Sequence, residues 1–220
     1  MGMHPQQLKS LELLPENTGV VLFTRHSIRE EASNDMPGFD IPLTPEGVQL
    51  ASEWGAALPH KIRAVYSSHS PRCVSTGEAM IKGAEASANV VIHEKLCEPG
   101  VYVSKMSIAG ATFARVGPVE FVSRTLNSNV EGTFEPGEGT GRLLDWLMEV
   151  QPRGGEISLC ITHDTILSTF VYDLVGKKNL QRKDWPWMLE GVFLWFDEDD
   201  IHWIWRGVSS RVSRLKYFEK

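Results

Sequence analysis

The stretch Val20-Val21-Leu22-Phe23-Thr24-Arg25-His26-Ser27-Ile28-Arg29 constrains the fold of this chain more than any other. Its continuous apolar, β-forming start reads as a buried strand, and the run ends abruptly in a histidine bracketed by Arg25 and Arg29. Strand ends are where α/β proteins place their chemistry. Two cations beside one imidazole disfavour the imidazolium, so His26 is expected to be neutral with a free lone pair, while the guanidiniums form a socket for a tetrahedral anion. A phosphate-accepting nucleophile needs both. A histidine that merely caps a strand would look the same over this stretch, so the decision rests on the remaining chain.

The same design recurs. Glu156-Ile157-Ser158-Leu159-Cys160-Ile161-Thr162 is a second apolar strand that delivers His163-Asp164-Thr165, followed by a helical run to Leu174 with Gly176 as its stop. Between the two, Leu43-Thr44-Pro45-Glu46-Gly47 is a helix start with Thr44 as N-cap and Pro45 at the first helical position, and Val48, Ala51, Trp54 and Leu58 give the helix an apolar face. A strand over 64–68 and a turn at His69-Ser70-Pro71 then place Arg72 in the first turn of the next helix. Cations normally favour the other end of a helix, so an arginine here makes sense if it shares an anion with the helix amino terminus.

A strand over 90–93 leads to Glu94-Lys95-Leu96-Cys97-Glu98-Pro99-Gly100. Residues 98–137 show little periodicity apart from a short helix over 118–126, and are expected to be an inserted segment that roofs the site. Arg115 and Arg124 within it read as solvated surface. Residues 30–41, rich in turn formers, read as a loop forming a substrate rim. A helix over 141–150 and a hairpin of 192–196 with 201–205 complete the chain, the tryptophans near the hairpin being assigned to packing and His202 to a structural role. The pattern predicts one α/β domain over 1–220, parallel in its centre with an antiparallel edge.

A formal net charge of −6 without a basic stripe argues against nucleic-acid binding. No apolar run approaches the roughly 18 residues of a membrane helix, and the amino terminus lacks a secretory pattern, so no membrane association and a cytoplasmic location are expected. Cys73, Cys97 and Cys160 form no CxxC pair and are expected to be free thiols rather than disulfide partners or zinc ligands.

Taken in order, Arg25-His26-Ser27 with Arg29, Leu43-Thr44-Pro45-Glu46-Gly47, Ser67-Ser68-His69-Ser70-Pro71-Arg72 and Thr162-His163-Asp164 resemble the signature blocks of the histidine phosphatase (phosphoglycerate mutase-like) superfamily. The resemblance implies a three-layer α/β/α sandwich and a phosphohistidine mechanism without cofactor or metal. It makes His26 the nucleophile and Arg25, Arg29, Arg72 and His163 the phosphate-binding set, acting on a small-molecule phosphate ester with inorganic phosphate as product. For the general acid it offers two positions. Asp164 matches the acid-phosphatase branch, as does Arg29, whereas Glu98 matches the phosphoglycerate mutase branch. Adjacency to His163 favours Asp164. The acid must be protonated to act, so turnover is expected to be faster at mildly acidic pH.

The usual glycine after the nucleophile is Ser27 here, which is expected to put a side chain beside the pocket. Asn127 and Asn129 match no recognition motif. The favoured reading is a phosphomonoesterase. A phosphomutase is the nearest alternative, disfavoured by the low basic content of the loop after Arg29. An idle phospho-ligand binding module and a metal hydrolase built on His26, His163 and Asp164 are further rivals.

Overall fold

Seven strands form one sheet in a computed structural model that describes residues 3–31, 38 and 40–218: β1 (Val20–Arg25), β2 (Lys61–Ser67), β3 (Val90–Ile92), β4 (Glu156–Thr162), β5 (Gly191–Phe196), β6 (Asp200–Trp205) and β7 (Val208–Ser213). Their order is β3-β2-β4-β1-β5-β6-β7. The first four positions pair in parallel and the last three add antiparallel to β1. The helices are α1 (Pro5–Leu11), α2 (Pro45–Ala57), α3 (Pro71–Gly83), α4 (Met106–Val116), α5 (Pro118–Leu126), α6 (Pro136–Glu149), α7 (Asp164–Leu174) and α8 (Leu215–Phe218). Proline opens α1, α2, α3, α5 and α6, where its missing N–H leaves no helical bond unmade.

The strand β1 is apolar throughout because both faces are covered. Val21 and Phe23 face α6 and α7, packing with Leu144, Leu147, Leu167 and Phe170. Val20 and Leu22 face α2 and α3, packing with Trp54, Cys73 and Met80. The result is the expected three-layer α/β/α sandwich with a mostly parallel centre and an antiparallel edge. Each of Leu22 and Phe23, with no exposed surface, contributes roughly 1.5–3 kcal/mol by burial.

Several elements differ from the sequence reading. The strand β3 is short and lies largely exposed at the sheet edge. The helix expected from 141 starts at Pro136. The strand β7 was not anticipated; its Val-Ser-Ser-Arg-Val-Ser sequence is almost wholly solvated and has no apolar face to betray it. The helix α4 was also missed: its Met106, Ile108, Phe113 and Val116 are set among glycine and small polar residues, and Ala109 is its one buried residue among those described. Gly117, at φ 78°, makes the left-handed turn that separates α4 from α5. Together α4 and α5 pack on Tyr172 of α7 through Ala109, Phe121, Val122 and Leu126.

Some surface expectations are met directly. Arg124 pairs with Glu120 one turn away at 2.7 Å. His202 holds Asp197 at 2.7 Å across the hairpin. Asn127 caps α5, donating to the Ser123 carbonyl at 2.8 Å. The three cysteines are free. Among the described residues no helix is long and apolar enough to cross a membrane.

The helices α2 and α3 touch backbone to backbone. A Cβ on Gly55 would lie 2.2 Å from the Met80 carbonyl oxygen, and one on Gly83 would lie 1.8 Å from that of Ser52. Helix propensity alone would have Gly55→Ala stabilise by about 1 kcal/mol. Overpacking at this crossing should outweigh it, and Gly55→Ala is expected to destabilise by about 1–3 kcal/mol in urea unfolding.

Candidate active site

The register of the sheet assembles the site. Arg25 lies opposite Thr162 across the parallel β1/β4 pair, so the next residues, His26 and His163, leave the sheet side by side. Their ring centroids stand 5.8 Å apart. On the other side of β4, Ser67 pairs with Ile161, which brings Ser68 and the first turn of α3 to the same edge. Arg72 projects from that first turn and is 5% exposed.

Hydrogen bonds define the tautomer of each imidazole. His26 Nδ1 lies 2.7 Å from the Ser27 carbonyl oxygen, an obligate acceptor, so Nδ1 carries the proton and Nε2 the lone pair. Arg72 Nε donates to that Nε2 at 3.2 Å. The same guanidinium, through Nη2, donates to His163 Nδ1 at 3.1 Å. The proton of His163 is therefore on Nε2, which meets Ser68 Oγ at 2.9 Å. Burial first, then Arg25, His163 and Arg72, hold the His26 pKa well below its ordinary value. Burial and Arg72 push His163 down to about 3. Both rings are neutral at physiological pH. The cations acting on His26 are thus Arg25 and Arg72, not the expected Arg25 and Arg29.

Arg25 is clamped by the loop before β5. Its backbone N–H donates to the Glu190 carbonyl at 3.0 Å and its Nη1 to the Pro186 carbonyl at 2.7 Å. Its Nη2 meets Asp164 Oδ2 at 2.7 Å, while its buried Nε–H has no acceptor among the described residues. Asp164 is further engaged by the Trp185 indole at 3.3 Å. Glu98 approaches from the segment after β3, with Oε2 3.6 Å from Arg72 Nη2 and 3.9 Å from His163 Nδ1. Although its side chain is 40% exposed, surrounding protein raises the Glu98 pKa, Arg72 opposing and Asp164 adding to the effect. Arg29 donates to the Glu30 carbonyl at 2.9 Å and faces the same space.

All seven residues singled out in the sequence, His26, Arg25, Arg29, Arg72, His163, Asp164 and Glu98, line one cavity of about 390 Å³, with Phe113 and Pro118 contributing its apolar wall. Of the expected substrate rim, residues 32–37 and 39 lie outside the described residues; the Gly38 carbonyl accepts from Arg72 Nη1 at 3.2 Å. Three supporting residues escaped the sequence reading: Ser68, Trp185, and Thr76, whose hydroxyl accepts the Ser27 N–H at 3.0 Å. Ser68, at a strand end just before Arg72, and Thr76, in the Ser75-Thr76-Gly77-Glu78-Ala79 run that continues the same signature block, left a signal, though no role was read from either. Among the described residues no group of three or more His, Cys, Asp or Glu is arranged to hold a metal ion. The thiols of Cys73 and Cys160 are held protonated by burial, which pushes their pKa values up.

Ser27 corrects an expectation. Its side chain is fully buried and does not enter the pocket; the hydroxyl donates to the Gly47 carbonyl at 2.7 Å and ties the strand end to α2. Gly47 allows the approach, since a Cβ there would sit 2.1 Å from the Ile28 carbonyl oxygen. Ser27→Gly is accordingly expected to lower stability by about 1 kcal/mol in chemical denaturation, with steady-state kinetics on any substrate changed less than about twofold.

Known proteins place this architecture. Residues 21–192 match the family model described as histidine phosphatase superfamily (branch 1). The fold resembles phosphoglycerate mutase from Bacillus anthracis str. Sterne, with a TM-score of 0.53 and 16% identity over 90% of this chain and 93% of that one. It also resembles phosphoserine phosphatase from Entamoeba histolytica in complex with phosphoserine, with a TM-score of 0.54 and 16% identity over 88% and 95% of the two chains. No curated protein matches by sequence. Such identities speak for the fold alone, whereas the family model covers most of the sequence: this chain belongs to the histidine phosphatase superfamily.

Proposed function

We propose that the chain hydrolyses a small phosphate monoester through a covalent phosphohistidine on Nε2 of His26. The observation that carries the reading is the buried, neutral His26 ring, with Nδ1–H committed to the Ser27 carbonyl and Nε2 turned to Arg72 in the shared cavity. The Nε2 lone pair forms the N–P bond, the ester P–O bond breaks, and its electrons leave on the alcohol oxygen, which takes a proton from a neighbouring carboxylic acid. Water then attacks the phosphohistidine, with the same carboxylate as base, and releases inorganic phosphate. Arg72, Arg25 and Arg29 neutralise charge on the equatorial oxygens, where it grows in the transition state. With Arg72 turned from His163 Nδ1 to a phosphoryl oxygen, the Ser68 hydroxyl, which can donate as well as accept, would hold the other His163 tautomer and leave Nδ1–H to that oxygen as well.

For the acid we now favour Glu98 over Asp164. Asp164 is committed to Arg25 and Trp185, whereas Glu98 is raised toward the protonated form and stands beside Arg72 and His163. The segment 98–137 would serve as the cap that carries Glu98 and roofs the site. Arg72 also speaks against a metal bridging the two histidines, since its guanidinium already fills the space between them. A phosphomutase is the second reading, because a mutase shares this fold. The free cysteines support the cytoplasmic placement.

Hydrolysis of 4-nitrophenyl phosphate in EDTA tests the proposal: it should survive the chelator and fall by about 10³-fold or more in His26→Ala. Loss of activity to the chelator, or its retention in the variant, would overturn the mechanism.

The acid is tested by leaving group and pH. With an alkyl phosphate, whose poor leaving group needs the proton, Glu98→Gln should lose about 10²-fold or more in kcat/KM, which reports phosphorylation of His26 alone, and with 4-nitrophenyl phosphate much less. A greater alkyl-specific loss in Asp164→Asn would return the role to Asp164. The sign of the pH effect follows. Glu98 works protonated and its pKa is raised, so kcat/KM falls as pH rises through that value; His26, lowered, stays neutral through the mildly acidic range. Activity on the alkyl ester should therefore be higher near pH 5.5 than near pH 8, and the slope should vanish in Glu98→Gln.

A further inference from the structure

Glu98 also lines a second cavity of about 350 Å³ between α4, α5 and α7, which shares Phe113 with the cavity of the histidines. Its walls come from Val103, Met106, Ala109, Phe121 and Ile166. Three of the four hydroxyl side chains on the wall, all but that of Thr165, are engaged elsewhere. Thr125 and Thr169 donate to carbonyls of their own helices, at 3.0 Å to Phe121 and 2.8 Å to Thr165. The Tyr102 hydroxyl pairs with Thr140 at 3.2 Å. Among the described lining residues there is no Lys or Arg, and Glu98 at the junction is the one charged group.

A different cavity, of about 560 Å³, opens on the far side of Arg25 between Arg182, Trp185 and Trp187. The acid decides between them. The leaving oxygen lies opposite His26 Nε2 and must reach the proton donor, and Glu98 borders the apolar cavity but not the one beside Trp187. A carboxylate or second phosphate in the apolar cavity would be desolvated, would lack a counter-charge and would face Glu98.

We infer that the organic part of the substrate is apolar and uncharged, an aryl or medium-length alkyl alcohol, seated between α4, α5 and α7 with its ester oxygen at Glu98. The inference rests on the phosphatase reading and narrows it to a substrate class. A volume of this size falls in the usual range for small-molecule pockets, and an apolar wall rewards each methylene that leaves water.

Two measurements test it. On the wild-type protein, kcat/KM for 1-hexyl phosphate, an alkyl ester like the two it is compared with, should exceed that for phosphoserine or 3-phosphoglycerate by about 10²-fold or more. The cavity is then filled with Gly110→Leu, a change that favours the helix and whose first added carbon meets only the flexible end of Met106, at 3.3 Å. The variant should raise KM for 1-naphthyl phosphate about tenfold while inhibition by inorganic phosphate stays within about twofold of wild type. Trp187→Ala, in the other cavity, should leave both unchanged. Preference for the anionic esters, an unchanged KM in Gly110→Leu, or a raised KM in Trp187→Ala would overturn the inference and leave the phosphatase intact. Absence of hydrolysis of every ester would instead overturn the phosphatase reading itself.

Discussion

A guanidinium buried between two neutral imidazoles is the interaction on which the site depends. Burying a charge is costly unless it is paired and hydrogen-bonded. Arg72 meets that demand with nitrogen lone pairs of His26 and His163, the Gly38 carbonyl, and the partly exposed Glu98 carboxylate. Among the described residues lining the cavity, the guanidiniums of Arg25, Arg29 and Arg72 face the two carboxylates of Asp164 and Glu98 across two neutral rings. Such a place favours a dianionic phosphoryl group in competition with water. Burial first, and then the charges of Arg25 and Arg72, keep His26 from being protonated, so the groups that attract the anion also help to preserve the lone pair that attacks it.

The fold supplies this arrangement through register. Three parallel strands end together, and each hands one element to the site: His26 from β1, Ser68 and α3 from β2, His163 from β4. The antiparallel edge contributes as well. Glu190, 1% exposed, holds Arg206 in a two-pronged pair at 2.7 and 3.0 Å. This fixes the loop whose carbonyls grip Thr24 and Arg25 at the end of β1. Rigidity at the centre contrasts with α4, which is attached by few buried groups and exposes Met106 and Phe113.

The sequence made His26, Arg72 and His163 legible because each follows an unmistakable signal: an apolar strand run, or a proline-opened helix with a cation at its wrong end. The choice between Asp164 and Glu98 was not legible. Adjacency to His163 along the chain counted in favour of Asp164, but the first residue of α7 is directed to Arg25 and Trp185, and the closer carboxylate to the second histidine comes from a distant loop. Ser27 misled for a similar reason. Its position in the motif was read correctly, while the direction of its side chain depends on where α2 docks. Ser68, Thr76 and Trp185 act by holding other groups, and ordinary residue types in such roles leave little trace. The strand β7 was invisible because a solvated edge carries no hydrophobic period, and α4 because its apolar residues lie among glycine and small polar residues and largely on the surface.

The tautomer of His26 gives the account its most direct test. Mix the protein with a fluorogenic aryl phosphate, quench within the first turnover in base, where phosphohistidine survives, and locate the phosphoryl group by mass spectrometry and phosphorus NMR. The account predicts one phosphoryl group, on His26 and attached at Nε2, lost in acid and absent from His26→Ala. A turnover-competent protein with no such adduct, or with phosphate on Nδ1 or on another residue, would contradict it.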